Sequence, residues 1–206
     1  MRKMKILFIM FFLNIVLFAG TSVYTSIGEK CKIPTDVFKK YYNIEYNIYS
    51  KEENVDMSKY YDLIRKINPK YKNEDLDESG AIECQGKNDL KAFYVWDSSI
   101  TWVDISDGKN VWSTKNQVSA LSEIASFPSV VTGKMEWRMT NSGKLSGIIF
   151  RISGSDVDNY EKRLSRLLVI DLKQKEPKFC GLAKSNEEAR SLLDGKCEID
   201  LEKSSI

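Results

Sequence analysis

The stretch GKMEWRMTNSGKLSGIIFRI, residues 133–152, decides the fold class of this chain. Its first part alternates apolar and polar residues with a period of two, which is typical of a β-strand that buries one face. Its last part alternates in the same way around Phe150, and Asn141-Ser142-Gly143 between them has the residues of a tight turn. The stretch therefore predicts an antiparallel β-hairpin.

Short apolar runs of the same kind extend in both directions from this hairpin, beginning after Gly80. Turn residues separate them, as at Asp107-Gly108 and at residues 153–156. The continuous apolar run Leu167–Leu172 predicts a central strand. Because the connections are too short to hold crossover helices, we expect a mainly antiparallel β-sheet of about six or seven strands.

Two helices are predicted before this β-rich part, between Pro34 and Tyr71. Apolar residues recur there at spacings of three and four, the period of an α-helix. Pro34 suits a first helical position, and Asn68-Pro69 ends the second helix. Residues 72–79 are charged and show no period, so we interpret them as a linker. The two apolar stripes are formed by Val37, Tyr41, Ile44 and Ile48, and by Tyr60, Leu63, Ile64 and Ile67.

A last helix is indicated by its ends. Ser185 and Glu188 have the spacing of a capping box, and Gly195 supplies the carboxyl-terminal stop. Cys180 precedes this helix and Cys197 follows it. The predicted fold class is therefore α+β, with an N-terminal helical segment, an antiparallel sheet and a disulfide-bracketed C-terminal helix. The predicted boundaries are 1–22 for a signal peptide, 23–79 for the helical segment with its linker, and 80–206 for the β-rich domain.

The first 22 residues predict export. A basic start with Arg2, Lys3 and Lys5 precedes a thirteen-residue apolar run, Ile6–Phe18, interrupted by one asparagine, and small residues follow it. These are the three parts of a secretory signal, and the apolar run is short for a membrane span. Cleavage is expected after Ala19 or after Ser22. An uncleaved anchor is the alternative, because neither cleavage site is a clean match.

The four cysteines predict disulfides. They are widely spaced, none belongs to a C-x-x-C pair, and an even count in an exported chain favours disulfides over a metal site. Three connectivities are possible, and we favour Cys31–Cys84 with Cys180–Cys197, because the second pair closes a short loop around one helix. Buried free thiols are the alternative interpretation for one pair.

Composition excludes several classes of function. The chain has 206 residues, no histidine and a formal net charge of +2, which falls to −1 when the signal is removed. Such a balance supplies no basic stripe for a nucleic acid. Without histidine, the usual base of serine and cysteine nucleophiles and the commonest transition-metal ligand are both missing. We expect no cofactor, no metal and no membrane contact after signal cleavage.

One segment, residues 96–108, mixes acids with aromatic residues as a glycan site does. A hydrolase using carboxylates would draw on Asp97, Asp104 or Asp107. Against this, Asp beside a turn is favoured for backbone hydrogen bonding alone, and two carboxylates are too few for a calcium cage. Trp102 and Trp112 flank the same turn and would anchor a protein or glycan partner if their rings faced solvent, whereas burial in the sheet is the alternative.

The residues from Gly133 to Cys197 carry a resemblance. The matching segments are GKMEWR (133–138), SGIIFRI (146–152), RLSRLLVIDL (163–172), FCGLA (179–183) and NEEAR (186–190). Together they resemble small, uncharacterised exported proteins of alphaproteobacteria. The resemblance implies an exported location and the Cys180–Cys197 bridge, but no activity. An excess of 24 lysines over 7 arginines is typical of an AT-rich genome, as in Liberibacter, which makes a secreted effector a hypothesis.

The sequence thus predicts a periplasmic or secreted, disulfide-stapled binding or effector protein that is not an enzyme. Its partner is an unknown protein or glycan. Two alternatives stay open, a carboxylate-based glycan hydrolase and a periplasmic inhibitor similar to lysozyme inhibitors. A concave pocket with two converging carboxylates would favour the hydrolase, whereas a protruding loop or an exposed aromatic patch would favour binding or inhibition.

Overall fold

A computed structural model of the protein describes residues 20–46, 79–97, 99–121, 123–125 and 128–206. The predicted signal up to residue 19, the second predicted helix and almost all of the predicted linker lie outside the described residues. The elements in chain order are β1 (Thr21–Ile27), α1 (Asp36–Tyr46), β2 (Ser79–Cys84), β3 (Lys91–Asp97), β4 (Ile100–Ser106), β5 (Asn110–Ser113), α2 (Lys115–Ser119), β6 (Ser129–Val130), β7 (Gly133–Met139), β8 (Leu145–Ser155), β9 (Arg163–Asp171), β10 (Lys178–Ala183), α3 (Asn186–Asp194), β11 (Ile199–Asp200) and β12 (Glu202–Ser205).

The strands form two antiparallel sheets. The larger has seven strands in the order β1-β7-β8-β9-β10-β11, with β6 paired to β8. The smaller has five strands in the order β12-β5-β4-β3-β2. The predicted hairpin is β7 and β8, joined at Gly143, whose φ of 77° is the left-handed conformation that glycine adopts without strain. The predicted central strand is β9, which lies between β8 and β10. The α+β class is therefore confirmed.

Strands β8 and β9 bury both of their faces, which explains the continuous apolar run in β9. Phe150 and Leu168 point into the large core that both sheets share. Ile149 and Val169 point the other way, into a smaller core under Leu193 of α3. The seven-stranded sheet therefore lies between the five-stranded sheet and α3.

Helix α1 covers the other face of the five-stranded sheet. The ring of Phe38 lies 4.4 Å from that of Phe93 on β3, measured between centroids. On the opposite face of this sheet, the hydroxyl of Thr101 accepts a hydrogen bond from the backbone N–H of Val130 in the larger sheet, at 2.6 Å. The order of layers is thus α1, five-stranded sheet, seven-stranded sheet, α3.

Both predicted disulfides are confirmed. Cys31–Cys84 joins the segment before α1 to the end of β2, and Cys180–Cys197 joins β10 to the segment after α3. All four cysteines are bonded. Each outer helix is therefore bordered by its own cross-link.

The ends of α3 are those that the sequence predicts. The hydroxyl of Ser185 accepts a hydrogen bond from the backbone N–H of Glu188 at 3.2 Å. The Glu188 carboxylate reaches back to the N–H of Lys184 at 2.7 Å, one residue earlier than in a standard capping box. Gly195 is the carboxyl-terminal cap. The start of this helix therefore rests on local hydrogen bonds.

Three details differ from the sequence-based expectations. No strand was expected before Gly80, but Thr21–Ile27 forms β1 and pairs with β7 along its whole length. One sheet was expected and two are present; the short strands β11 and β12, which have no apolar period, each add an edge strand to a different sheet. Val37 is exposed, since the buried face of α1 runs through Phe38 and Tyr42 instead.

Candidate functional site

The two tryptophans proposed as partner anchors are buried. Trp102 has no exposed surface, and Lys115 Nζ lies 4.7 Å from the centre of its ring. Trp112 is 5% exposed, and its indole N–H donates to the carboxylate of Glu176 at 2.7 Å. Neither ring faces solvent, so burial in the sheet, the alternative interpretation, describes both residues.

The three candidate acids lie in three different environments. Asp97 is at the end of β3, where it accepts from Ser79 Oγ at 3.0 Å and from Lys115 Nζ at 3.3 Å. Asp107 is exposed in the β4–β5 turn, where its carboxylate accepts from the backbone N–H groups of Lys109 and Asn110. Desolvation opposes ionisation of Asp107, but these backbone hydrogen bonds outweigh it and lower the pKa. Asp107 thus serves the turn.

Asp104 is fully buried beneath α1 and accepts a hydrogen bond from the Tyr42 hydroxyl at 3.0 Å. Burial raises the pKa of Asp104 to about 7, although hydrogen bonds from Ser113, Tyr42 and Trp102 act in the opposite direction. Asp104 pairs with Phe93, four residues before Asp97 on β3. The two carboxylates are therefore about 13 Å apart along the strand, beyond the separations of glycoside hydrolases.

A cleft of about 500 Å³ opens on the outer face of the seven-stranded sheet, beside the end of α3. We call it the α3 cleft. It brings together the start of β1, the β7–β8 hairpin and the carboxyl-terminal turn of the helix. Its lining residues are Gly20, Arg138, Met139, Thr140, Asn141, Ser146, Lys173, Arg190, Leu193 and Asp194.

On the side of the α3 cleft nearest β1, the Glu136 carboxylate binds several of the neighbouring side chains. Its carboxylate accepts from Ser22 Oγ at 2.6 Å and from Arg190 through two bonds, Nε at 3.1 Å and Nη2 at 3.3 Å. Arg138 Nη1 lies 3.5 Å from the same carboxylate and donates to Ser22 Oγ at 2.5 Å. The Arg190 guanidinium also donates to the hydroxyl of Tyr24 at 3.3 Å.

These contacts make Glu136 an ionised carboxylate inside the protein. Burial by itself would raise the pKa of Glu136. The hydrogen bonds from Arg190 and Ser22 and the charges of Arg190 and Arg138 outweigh burial, so this pKa is lowered. The same pairing raises the pKa of the Arg190 guanidinium. We refer to Arg138, Glu136 and Arg190 as the arginine pair with its buried glutamate.

Strand register places these residues on one face. Ser22 lies opposite Arg138, and Tyr24 lies opposite Glu136, in the β1–β7 ladder. On the other side of β7, Arg138 lies opposite Gly147 of β8. A Cβ atom on Gly147 would come within 2.4 Å of the Leu193 side chain, so glycine is what allows the end of α3 to approach the sheet.

Lys173 forms the far side of the α3 cleft and has a structural task. Its ammonium contacts the backbone carbonyl of Leu193 at the end of α3, where a cation complements the helix dipole. It also lies 3.5 Å from the buried carboxylate of Asp171. The Lys173 ammonium is therefore paired with the end of α3 and with Asp171. Asp194, by contrast, is exposed at the rim of the cleft.

Sequence reasoning missed the arginine pair with its buried glutamate. Glu136 and Arg138 alternate with Met135 and Trp137, so the pattern assigns them to a polar, solvent-facing side of a strand. The ion pair of the buried Glu136 depends on Arg190, which lies 54 residues away along the chain. An acid within an alternation of apolar residues was the available signal, but without the contacts of β7 it could not be separated from an ordinary exposed charge.

Searches for relatives and for metal sites add no identification. No family model matches this sequence, and no curated protein and no solved structure gives a significant match. The resemblance to exported alphaproteobacterial proteins therefore stays a prediction. Within the described ranges, no group of three or more acidic, cysteine or histidine side chains could hold a metal ion. Of the helices described, none has the length and hydropathy to cross a membrane.

Proposed function

We propose that this chain is an exported, disulfide-stapled binding protein without catalytic activity, and that the α3 cleft holds its ligand. One observation carries the proposal. The cleft has the volume of a ligand site, and its charged side chains are held in place by a buried carboxylate. A side chain that is already fixed before binding loses little conformational freedom when a ligand arrives.

Two disulfides support an oxidising compartment, because cytosolic proteins keep their thiols reduced. The position of β1 bears on processing. Cleavage after Ala19 leaves the strand whole, whereas cleavage after Ser22 removes Thr21 and the hydroxyl that bonds Glu136. We therefore expect the exported protein to begin at Gly20. Amino-terminal sequencing would contradict this by recovering a chain that starts at Val23 or one that retains Met1.

A non-enzymatic function is favoured over the hydrolase alternative by the placement of the acids. Asp104 lies beneath α1, Asp97 is held by Lys115 at the strand end, and Asp107 serves a turn. Replacing Asp97, Asp104 and Asp107 with Asn is expected to leave ligand binding intact. Turnover of a glycan that this triple variant abolishes would instead establish an enzyme.

The binding proposal is tested by blocking the cleft. Asn141 is exposed in the β7–β8 turn and lines the α3 cleft, whereas Ser142 is its neighbour in the same turn and does not. Asn141→Trp should abolish capture of a partner from periplasmic and host extracts, and Ser142→Trp should not. Equal capture by both variants would place the binding site elsewhere. Thermal unfolding of each variant shows whether the fold is retained.

The inhibitor alternative is favoured by one feature, the β8–β9 loop. It exposes two large apolar side chains, Val157 at 45% and Tyr160 at 67%. An exposed aromatic residue on a loop is a common anchor for a protein partner. If this alternative is right, Tyr160→Ala will weaken partner capture while Asn141→Trp leaves it unchanged.

A further inference from the structure

Building on the proposed function, we propose that the α3 cleft recognises a ligand through a single carboxylate group, which Arg138 and Arg190 bind together. The proposal rests on the charge, the unused donors and the lining of the cleft.

The charge of the arginine pair with its buried glutamate is unbalanced. Two guanidinium groups share one carboxylate, which leaves one positive charge in excess. Among the described residues, no other carboxylate forms an ion pair with Arg138 or Arg190. A buried or half-buried excess charge is costly, and a bound anion would remove that cost.

Each of the two guanidinium groups also has N–H donors that make no hydrogen bond within the described part of the chain. Arg138 uses Nη1 for Ser22, and Arg190 uses Nε and Nη2 for Glu136 and Tyr24. Within the part of the chain that the structure describes, Nη2 of Arg138 and Nη1 of Arg190 make no hydrogen bond. Guanidinium groups bind carboxylates through paired N–H bonds, which are about twice as strong as neutral hydrogen bonds.

A carboxylate fits this charge better than a phosphate does. One negative charge neutralises the excess of the arginine pair with its buried glutamate. A phosphate dianion would leave a net negative charge beside Glu136, which is itself ionised. Arg138, Glu136 and Arg190 taken together are therefore matched to a monoanion, and Asp194 in the same cleft further disfavours a second negative charge.

The volume and lining of the rest of the cleft indicate the size and polarity of the remainder of the ligand. A volume of about 500 Å³ exceeds what a carboxylate needs. Met139 and Leu193 contribute apolar surface, and Thr140, Asn141 and Ser146 contribute polar atoms. A carboxylate attached to a partly apolar body matches this lining, and both a small organic acid and the carboxyl-terminal end of a peptide have that chemistry.

The carboxylate of Asp194, at the rim of the cleft, weakens binding of an anionic ligand. It lines the same cleft, and among the described residues it has no ion-pair partner. Its charge therefore repels an incoming carboxylate, while Lys173 is occupied by Asp171 and the helix end. Removing the charge of Asp194 should tighten binding, an effect that a purely structural role of the arginines would not produce.

The test is a calorimetric titration of the disulfide-bonded protein with three probes. They are an N-acetylated dipeptide ending in leucine with a free carboxylate, the same dipeptide as its amide, and hexanoate. We expect saturable binding of at least one carboxylate probe, and at least about tenfold weaker binding of the amide, the loss that follows from one charge-assisted contact. Tighter binding of the dipeptide identifies a peptide end, and tighter binding of hexanoate identifies a small acid.

Variants separate recognition from folding. Arg138→Lys and Arg190→Lys keep the positive charge beside Glu136 but lose the paired N–H donors of the guanidinium group. Each should weaken binding of the carboxylate probe about tenfold. Asn141→Glu adds a negative charge at an exposed position. It should weaken binding of the carboxylate probe but not binding of the amide probe. Asn141→Gln is its matched control. Asp194→Asn should strengthen binding of the carboxylate probe severalfold. The unfolding midpoint of each variant, measured without probe, shows whether the variant is folded.

Three results would overturn the inference. They are equal affinity for the dipeptide acid and its amide, inorganic phosphate binding as tightly as the carboxylate probes, or unchanged affinity in both Asn141→Glu and Asp194→Asn. Its failure is distinguishable from failure of the proposed function. If one of these three results is found while Asn141→Trp still abolishes capture of a partner, only the carboxylate is rejected and the binding protein is kept. Capture that survives Asn141→Trp would reject the cleft itself.

Discussion

Asp104 and Glu136 are buried on the outer faces of the two sheets, each beside a helix, and their environments drive their ionisation in opposite directions. Asp104 lies under α1 and meets the hydroxyl of Tyr42, and burial raises its pKa to about 7. Glu136 lies near α3 and meets two guanidinium groups, which lower its pKa. Burial alone does not decide the charge of a carboxylate; the charge of its partners does.

The difference extends to the surroundings of each carboxylate. Around Asp104 the partners are neutral and mostly aromatic, and the face is closed by Phe38 and Tyr42. Around Glu136 the partners are charged, partly exposed and next to a cleft. A closed neutral site contributes to the interior, whereas an open site with excess charge is suited to a ligand.

Loss of the cross-links should have the largest effect, and the α1 side should lose more. The Cys31–Cys84 bridge spans 53 residues and the Cys180–Cys197 bridge spans 17. By the chain-entropy relation, Cys31→Ala with Cys84→Ala should lower the free energy of unfolding by about 4 kcal/mol, against about 3 kcal/mol for Cys180→Ala with Cys197→Ala. Urea unfolding of the two double variants measures both. A larger loss from the second pair would reverse the comparison.

Glu136→Gln should destabilise the protein by about 3 kcal/mol at pH 7, because it leaves two guanidinium groups without their buried counter-charge. Urea unfolding measures this loss. Glu161→Gln is the control, since Glu161 is exposed in the β8–β9 loop and forms no ion pair within the described part of the chain. A loss below 1 kcal/mol for Glu136→Gln would show that neighbouring water, not Glu136, screens the two arginines.

Asp104→Asn should stabilise the protein at pH 8 by up to about 4 kcal/mol and leave its stability nearly unchanged at pH 4. The folded pKa of about 7 is above the ordinary value of 3.8. Between those values the folded state binds more protons than the unfolded state. The stability of the unmodified protein therefore falls as pH rises from about 4 to about 7, and the substitution removes this fall.

The measurement is the free energy of unfolding from pH 4 to pH 8, with Asp107→Asn as the exposed control. That variant should keep the downward slope, because Asp107 lies in a solvent-exposed turn. A flat profile in the unmodified protein would mean that Asp104 stays ionised throughout. The Tyr42 hydroxyl would then stabilise the charged form more than burial penalises it.

The smallest effect concerns the start of α3. Ser185→Ala removes the hydroxyl that accepts the N–H of Glu188 and should cost about 1 kcal/mol. Ser191→Ala, on the exposed side of the same helix, should change the free energy of unfolding by less than half of that. Equal losses would show that docking of Leu193, and not the cap, holds the helix.

Much of the fold could be predicted because its signals are local. The period of two in β7 and β8, the turn at Gly143 and the cap at Ser185 each involve a few adjacent residues, and all are found in the structure. The two disulfides were also predicted, since an even count of widely spaced cysteines and a predicted export signal favour disulfides, and four cysteines allow only three pairings. Local patterns survive folding because tertiary contacts reinforce them.

The candidate site could not be predicted in the same way. Trp102 and Trp112 flank a polar turn, and their sequence neighbours do not show that both rings are covered. Asp104 lies in a strand between apolar residues, but only the register with β3 and the docking of α1 place it under Tyr42. A pattern within one strand tells which residues share a face, not what covers that face.

The α+β class, the β7–β8 hairpin, the cross-links and the capped helix all follow from the amino-acid sequence. Tertiary contacts were needed to show that there are two sheets, that Thr21–Ile27 belongs to the larger one, and that Glu136 meets Arg190. The physical reason is the range of the interactions. Secondary structure follows from neighbours a few residues apart, whereas the burial and charge of a side chain depend on groups that only the folded chain brings within a few ångströms.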